Sequence, residues 1–411
     1  MRGTMAAKYA FRSIFRHARR TILSIMGVGI GCGLGLFAIS WIIGEIEWQI
    51  KAVAQSGGGH VKVVPAGWIE KREELLRLAD WQKVVEQVRA IRGVESFAVR
   101  SKAKGLLAFG NRSAGVEITG VQPDNEPAVN RIVRYGKLDG RYLKQGDRDR
   151  VVIGAVLARR LAVEVGDDLV LTIAGKNDIK SAMLKITGIV STGNRDIDLS
   201  VCHVTMEDLD EITGCRGAGE VTVLLDDYRL ADKVIESLNQ KLPEGDRAIS
   251  WQEVKPDLAA GVEGDKAYTK VLVGIIILIV TFGIASAQLT SVLERHREFA
   301  ILMALGMKIR QVVALIMMES ILIGLGGAVV GMLLGGGGAY YISTAGVNFE
   351  SIIGNLSVGG DILIDKMFYG DFGPWLVWVA MALSLGATIV ASIYPAWYVA
   401  KSDPASALRT V

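Results

Sequence analysis

The sequence predicts a membrane protein of four transmembrane helices, with a large α+β extracytoplasmic domain inserted between helices 1 and 2. Three observations carry this: four long apolar runs that are uncharged or nearly so, a 22% share of charged residues, and a short charged amphipathic stretch, residues 291–311, pinned between two of the runs. The mean hydropathy of +0.34 is too low for a chain buried wholly in lipid and requires a sizeable water-facing part.

The first span is residues 21–44, which hold no Asp, Glu, Lys or Arg and can cross a roughly 30 Å hydrocarbon layer at about 1.5 Å per residue. The second is 269–290, uncharged from Val271 to Thr290; the third is 312–341, with a single Glu; the fourth is 374–393, uncharged from Trp375 to Ile393. Arg2, Lys8, Arg12, Arg16, Arg19 and Arg20 precede the first span, and Arg295, Arg297, Lys308 and Arg310 follow the second. The loop 342–373 carries only Lys366. By the positive-inside rule both termini, the tail 394–411 and the 291–311 loop are cytoplasmic, and residues 45–268 lie outside. The uncharged core of the first span exceeds a signal-peptide h-region, so a retained helix is expected even though Ala38-Ile39-Ser40 offers a weak small-x-small match. Within residues 1–20, Ala7, Phe11, Ile14, Phe15 and Ala18 form an apolar stripe apart from Lys8, Arg12, Arg16 and Arg19, as expected of a helix lying in the headgroup plane.

In the outer domain, His60 to Val64, Gly115 to Gly120, Leu169 to Ile173, Met183 to Val190 and Glu220 to Leu225 are short, rich in Val, Ile and Thr, and read as strands. Trp81 to Ile91, Ala155 to Val163 and Leu230 to Leu242 have apolar residues three and four apart and read as helices. A strand–helix–strand unit near residue 60 matches another near residue 220, which predicts two small cores with a subdomain of about 121–218 inserted between.

Function classes fall away one by one. With 46 Lys and Arg against 43 Asp and Glu, and the excess gathered beside the spans, a nucleic-acid partner is not expected. His17, His60, His203 and His296 show no metal-ligand spacing, so no metal site is expected. Cys32 falls in the first span, while Cys202 and Cys215 are read as buried thiols. There is no G-x-x-x-x-G-K-[ST] phosphate loop, no G-x-S-x-G elbow and no H-E-x-x-H, so the chain is expected to be non-catalytic. Gly324, Gly327, Gly331 and Gly335 lie within an apolar span, where small residues let helices approach closely, within one chain or across a dimer. Glu319 is the one carboxylate in a span. Placing it there costs about 2.5–3.5 kcal/mol on insertion scales, so it must meet a polar group, with Gln288 the expected partner. It either fixes helix packing or relays motion from the charged loop.

At residues 294–334 the sequence resembles the FtsX-like and MacB-like permeases, whose core has a charged R-x-R-E, an A-L-G turn, a Glu in the next helix and a Gly-rich continuation. Here those positions are Arg295, Arg297, Glu298, Ala304, Leu305, Gly306 and Glu319. The tail resembles the same family in Pro395, Ala396, Ala400, Asp403, Pro404, Ala407, Leu408 and Arg409. Within it the outer domain is most similar to the lipoprotein-releasing, LolC/LolE-type permeases, in GHVKV, VEITGVQPDNE and ITGIVSTGNRDIDLS. The turn Gly175 to Ser181 is too short for the long hook with which one such permease recruits its carrier.

The resemblance implies the architecture of MacB-like ABC permeases in a bacterial inner membrane. It implies a separate cytoplasmic ABC ATPase that binds ATP and Mg, none being held by this chain, and a second permease chain, identical or homologous. It implies mechanical transmission through a coupling helix. Phe299, Leu302, Met303 and Leu305 would meet the ATPase groove, with Glu294, Arg295, Arg297 and Glu298 as the polar rim. The work implied is extraction of lipoproteins or lipid-like substrates from the membrane, with membrane lipids and a periplasmic carrier as partners. The alternatives are a MacB-like efflux permease with an adaptor and outer channel, or an FtsX-like transmitter acting on an outer hydrolase.

Overall fold

The computed structural model describes residues 18–71, 73–175, 178–348, 363, 365 and 367–401. The N-terminal stripe from Ala7 to Phe15 and the tail positions from Asp403 to Arg409 lie outside them. The chain forms two compact units, one of Met1–Ile46, Glu263–Asn348 and Met367–Val411, the other of Glu47–Val262 and Phe349–Lys366.

Helix α1, Ala18–Gln55, continues well past Gly44 because nothing in IEWQIKAVAQ breaks a helix. It stops where three successive glycines begin at Gly57, with the Gly59 amide donating back to the Ala54 carbonyl at 2.8 Å. The second unit then runs β1 (Val61–Val64), α2 (Trp81–Arg89), β2 (Val94–Phe109), β3 (Arg112–Val121), β4 (Lys137–Gly140), β5 (Arg150–Gly154), α3 (Ala155–Leu161), β6 (Asp168–Ala174), β7 (Ile179–Ser191), β8 (Cys202–Thr205), α4 (Met206–Thr213), β9 (Glu220–Leu225), α5 (Ala231–Asn239) and β10 (Arg247–Ser250). Local chemistry sets the helix starts: Asp80 accepts from the Lys83 amide at 3.1 Å and Thr205 from the Asp208 amide at 3.2 Å.

The two strand–helix–strand units pair antiparallel in the order β10-β1-β9-β2 and bury Val61, Val63, Val84, Val88, Val221, Val223 and Leu238. A second core gathers Leu107 of β2 and Ile118 of β3 with Ile153, Leu157, Leu169, Leu171 and Leu184 of the inserted part. Strand β2, absent from the sequence reading, joins the two: Val94 to Arg100 pairs with β9, Gly105 to Ala108 with β6, and its other edge with β3. The two cores therefore share one sheet. Only residues 175–178 separate β6 from β7, with the Gly175 amide donating to the Asp178 carbonyl at 2.9 Å, so this hairpin ends without a long hook. Cys202 and Cys215 are free and buried.

Buried charge holds the shared sheet. Arg100 on β2 forks onto Glu126 with two bonds of 2.8 Å and also donates to the Gly57 carbonyl. Asn130 donates to the same carboxylate at 2.8 Å. Lys62 on β1 meets Glu220 on β9 at 2.9 Å, a diagonal cross-strand pair. Burial opposes ionisation of Glu126, but the Arg100 guanidinium outweighs it and holds the carboxyl below its usual value. Burial likewise opposes Glu220, and Lys62, Lys102 and Arg100 bring it down to about 2. Burial takes the His60 and His203 imidazoles down to about 4, against the nearby Asp227 and Glu126 carboxylates respectively. His60 then accepts from the Leu225 amide at 3.0 Å as a neutral ring.

In the other unit, helix α6 is Pro256–Glu294, α7 is His296–Ala304, and α8, Ile309–Gly331, continues through a π-helical turn at Met332–Gly336 into α9, Gly337–Ala345. Two-residue strands β11 (Val347–Asn348) and β12 (Met367–Phe368) pair before α10, Trp375–Lys401. Among the described residues four helical segments are long and apolar enough to cross a membrane. The glycine stripe packs within the chain. A Cβ at Gly331 would lie 2.8 Å from the Cys32 side chain, one at Gly327 would collide with Val28, and one at Gly335 with the Gly33 carbonyl, all on α1. Gly324 instead faces α10, where a Cβ would lie 2.6 Å from the Thr388 hydroxyl and where Ser384 donates to the Gly324 carbonyl at 2.6 Å.

Arg100→Leu should cost the full chain about 3–5 kcal/mol in urea unfolding, because Glu126 is then left charged and buried. The histidines set an acid limit. The unfolded imidazole takes a proton near 6.5 and the folded one near 4, so stability is full above 6.5 and falls toward 4 by about 1.4 kcal/mol per pH unit for each ring. Unfolding followed across that window in His60→Gln/His203→Gln should show a flatter slope than wild type.

Candidate functional site

The charged stretch between the second and third membrane helices folds as a break, a short helix and a tight turn. Arg295, with φ −99° and ψ 8°, ends α6 and starts α7. At the other end Gly306 takes φ +93°, a left-handed conformation natural to glycine, and lets the Met307 amide return to the Leu302 carbonyl at 3.0 Å. The Gln311 side chain then accepts from the Lys308 amide at 2.9 Å and starts α8.

This turn folds α7 back against the bundle. Phe299, 2% exposed, and Ala300 are buried, Phe299 in a cluster with Val292 of α6, Val312, Leu315 and Ile316 of α8, and Ala396 and Val399 of α10. Leu302 and Met303 are half-buried against the same cluster. Arg297, Glu298, Ile301, Ala304 and Leu305 fall three or four apart and form the outward face, with Glu294 and Gly306 exposed beside it. Leu305 is 79% exposed and Ile301 47%. This corrects two expectations. Phe299 belongs to the core that supports α7 and not to its contact face, and Arg295, buried at 6%, is no part of a polar rim. Ile301 takes the place of Phe299 on the outward face.

Glu319 lies ten residues into α8, about 15 Å along its axis. Its partner is Arg295, whose guanidinium donates to Glu319 Oε2 at 3.0 Å, rather than Gln288, which is buried separately on α6. The same guanidinium donates through Nε to Glu298 at 3.2 Å and stacks 5.2 Å from the Phe299 ring centroid. One cation thus joins the helix break, the outward face of α7 and the interior of α8. Among the described residues no group of three or more His, Cys, Asp or Glu could hold a metal ion. The arrangement has no reactive nucleophile or paired acid and base to offer; what it presents is a rigidly backed apolar knob, Ile301 and Leu305, ringed by Glu294, Arg297 and Glu298.

Residues 21–241 match the MacB-like periplasmic core domain and residues 270–404 the FtsX-like permease C-terminal region. The lipoprotein-releasing system transmembrane protein LolC of Xylella fastidiosa is 24% identical over 95% of this chain and 93% of its own length. LolC of Neisseria meningitidis is 25% identical over 95% and 94%. The macrolide export ATP-binding/permease protein MacB of Campylobacter jejuni is 23% identical over 98% of this chain and 60% of its own length.

Replacing Phe299 by Ala should lower stability by about 3–5 kcal/mol, whereas Leu305→Ser should stay within about 0.5 kcal/mol of wild type. Thermal melting of the detergent-solubilised chain separates the inward from the outward residue.

Proposed function

As a member of the family of ABC transporter permeases built from a MacB-like periplasmic core and an FtsX-like C-terminal region, the chain is, we propose, the membrane subunit of a complex driven by a separate cytoplasmic ATPase. The observation that carries this is the outward face of α7. An apolar pair standing on an internally packed helix, with charged residues around it, suits insertion of a short helix into a protein groove. Arg297, Lys308 and Arg310 beside it put this loop on the cytoplasmic side by the positive-inside rule, and the sheet-containing unit on the periplasmic side. ATP and Mg bind the ATPase, not this chain. Two permease chains, identical or homologous, sit over an ATPase dimer.

The work done outside is release of lipoproteins, or of substrates with a similar lipid anchor, from the inner membrane. Support comes from the two LolC relatives, which match across nearly the whole of both chains. The short β6–β7 turn favours a carrier contact that does not depend on a long hook.

Ile301→Asp and Leu305→Asp should each weaken ATPase binding by about tenfold or more, since either buries an unpaired carboxylate at the contact, while the chain stays folded. Affinity measured with the complex from native membranes reads this directly. Vesicles holding the complex and a triacylated lipoprotein should release it only with ATP. Release without ATP, or ATPase affinity unchanged in both variants, would overturn the proposal.

A further inference from the structure

Arg295 is unusual in that its backbone is the break and its side chain is the bolt. The backbone ends α6, so α6 and α7 are separate rods. The side chain reaches away from α6, to Glu298 on α7 and to Glu319 on α8. Next to Glu319, the hydroxyls of Ser320 and Ser392 meet at 2.5 Å and tie α8 to α10, and Ser384 repeats the tie one turn further at the Gly324 carbonyl. Among the described residues no hydrogen bond ties α6 to a neighbouring membrane helix along its apolar length; Val271, Leu272, Ile275, Leu278, Ile279 and Phe282 are exposed, and nearer the break Ile284 and Val292 make only apolar contacts with α8 and α10. The loop is therefore fastened to the third and fourth membrane helices and hinged to the second.

Resting on the coupling role given above to α7, we propose that Arg295 and Glu319 are positioning residues that select the route of transmission: displacement of α7 passes into α8 and α10 as one body, while α6 swings about residue 295. A pair that only held the bundle together would not distinguish these routes. Among the described residues the contacts of Arg295 with Glu298 and Glu319 are the one polar side-chain link between α7 and α8, and the rest of that contact, around Phe299, is apolar and non-directional.

The test uses the full complex from native membranes in lipid nanodiscs, with ATP plus vanadate as the probe, and spin labels at Met303→Cys, which lies off the outward face of α7, Thr344→Cys and Tyr268→Cys in a background with the three native cysteines replaced. In the wild-type pair, the 303–344 distance across α7, α8 and α9 should hold within about 1.5 Å, one residue's rise, on adding nucleotide, while the 303–268 distance from α7 to α6 shifts. Glu319→Gln should keep its ATPase and still shift 303–268, but 303–344 should now shift as well. The charge exchange Arg295→Glu/Glu319→Arg should return 303–344 to its constant value, and it stands in for Glu319→Gln should that variant fail to fold. A Glu319→Gln complex with 303–344 constant overturns the inference and leaves the coupling role intact, as does a charge exchange that folds but does not restore it. Loss of the ATPase in Glu319→Gln overturns it too, since the pair would then support docking. If 303–268 stays fixed in wild type, the coupling role itself falls, and the route with it.

Discussion

A carboxylate set about 15 Å into an apolar helix cannot be solvated by lipid, and its need for a cation organises the loop beside it. Arg295 can reach Glu319 only if α6 stops at residue 294 and α7 folds back over the start of α8. That fold-back buries Phe299 and Ala300 and, because a helix has two sides, turns Ile301 and Leu305 outward. Gly306 closes the turn on the far side. The exposed apolar face is thus a consequence of satisfying one buried charge, and the apolar cluster around Phe299 stabilises an arrangement that the ion pair puts in register.

The same constraint recurs in the sheet-containing unit. Strand β2 carries Arg100, which faces the interior between two cores that its own strand joins. Burial of that guanidinium is tolerated because Glu126 takes it bidentately and Asn130 and the Gly57 carbonyl complete the site. Gly57 lies two residues past the end of α1, so the charge network also fixes how the chain enters β1. A hydrophobic side chain at position 100 would fill space, but would not specify which carbonyl and which carboxylate must meet there.

These two places are where pattern reading of the sequence falls short, for one physical reason. Short strands with uninterrupted apolar faces, such as β9 at Glu220–Leu225, and amphipathic helices, such as α2, are legible because their periodicity reports burial directly. Strand β2 holds Arg100, Lys102 and Lys104 within five positions and reads as a solvated segment; Lys104 is exposed, but Arg100 is buried, on a carboxylate that Glu126 supplies from beyond the next strand. Helix α7 has the opposite difficulty. Phe299, Ala300, Ile301, Leu302 and Met303 are consecutive apolar residues, so no face stands out, and which side is buried is decided by Val312, Leu315 and Ala396 from other helices. The existence of the loop, its A-L-G turn and the presence of a buried carboxylate are legible; the identity of that carboxylate's partner is not, since it is supplied by a break in the helix that no local propensity marks.

The residue type at the break is itself constrained. A lysine at position 295 would present one compact charge and could answer Glu319, but it would have neither the planar fork to engage Glu298 through a second nitrogen nor a flat face to lie on Phe299. Arginine meets all three at once. Competition for the carboxylates would act on them unequally. Glu298 is the exposed one, at 46%, against 14% for Glu319; a cation brought to the outward face of α7 can therefore draw Glu298 away while the inner pair stays closed. The joint is therefore most enclosed at Glu319, inside the apolar bundle, and open to exchange only at Glu298, on the exposed side of α7.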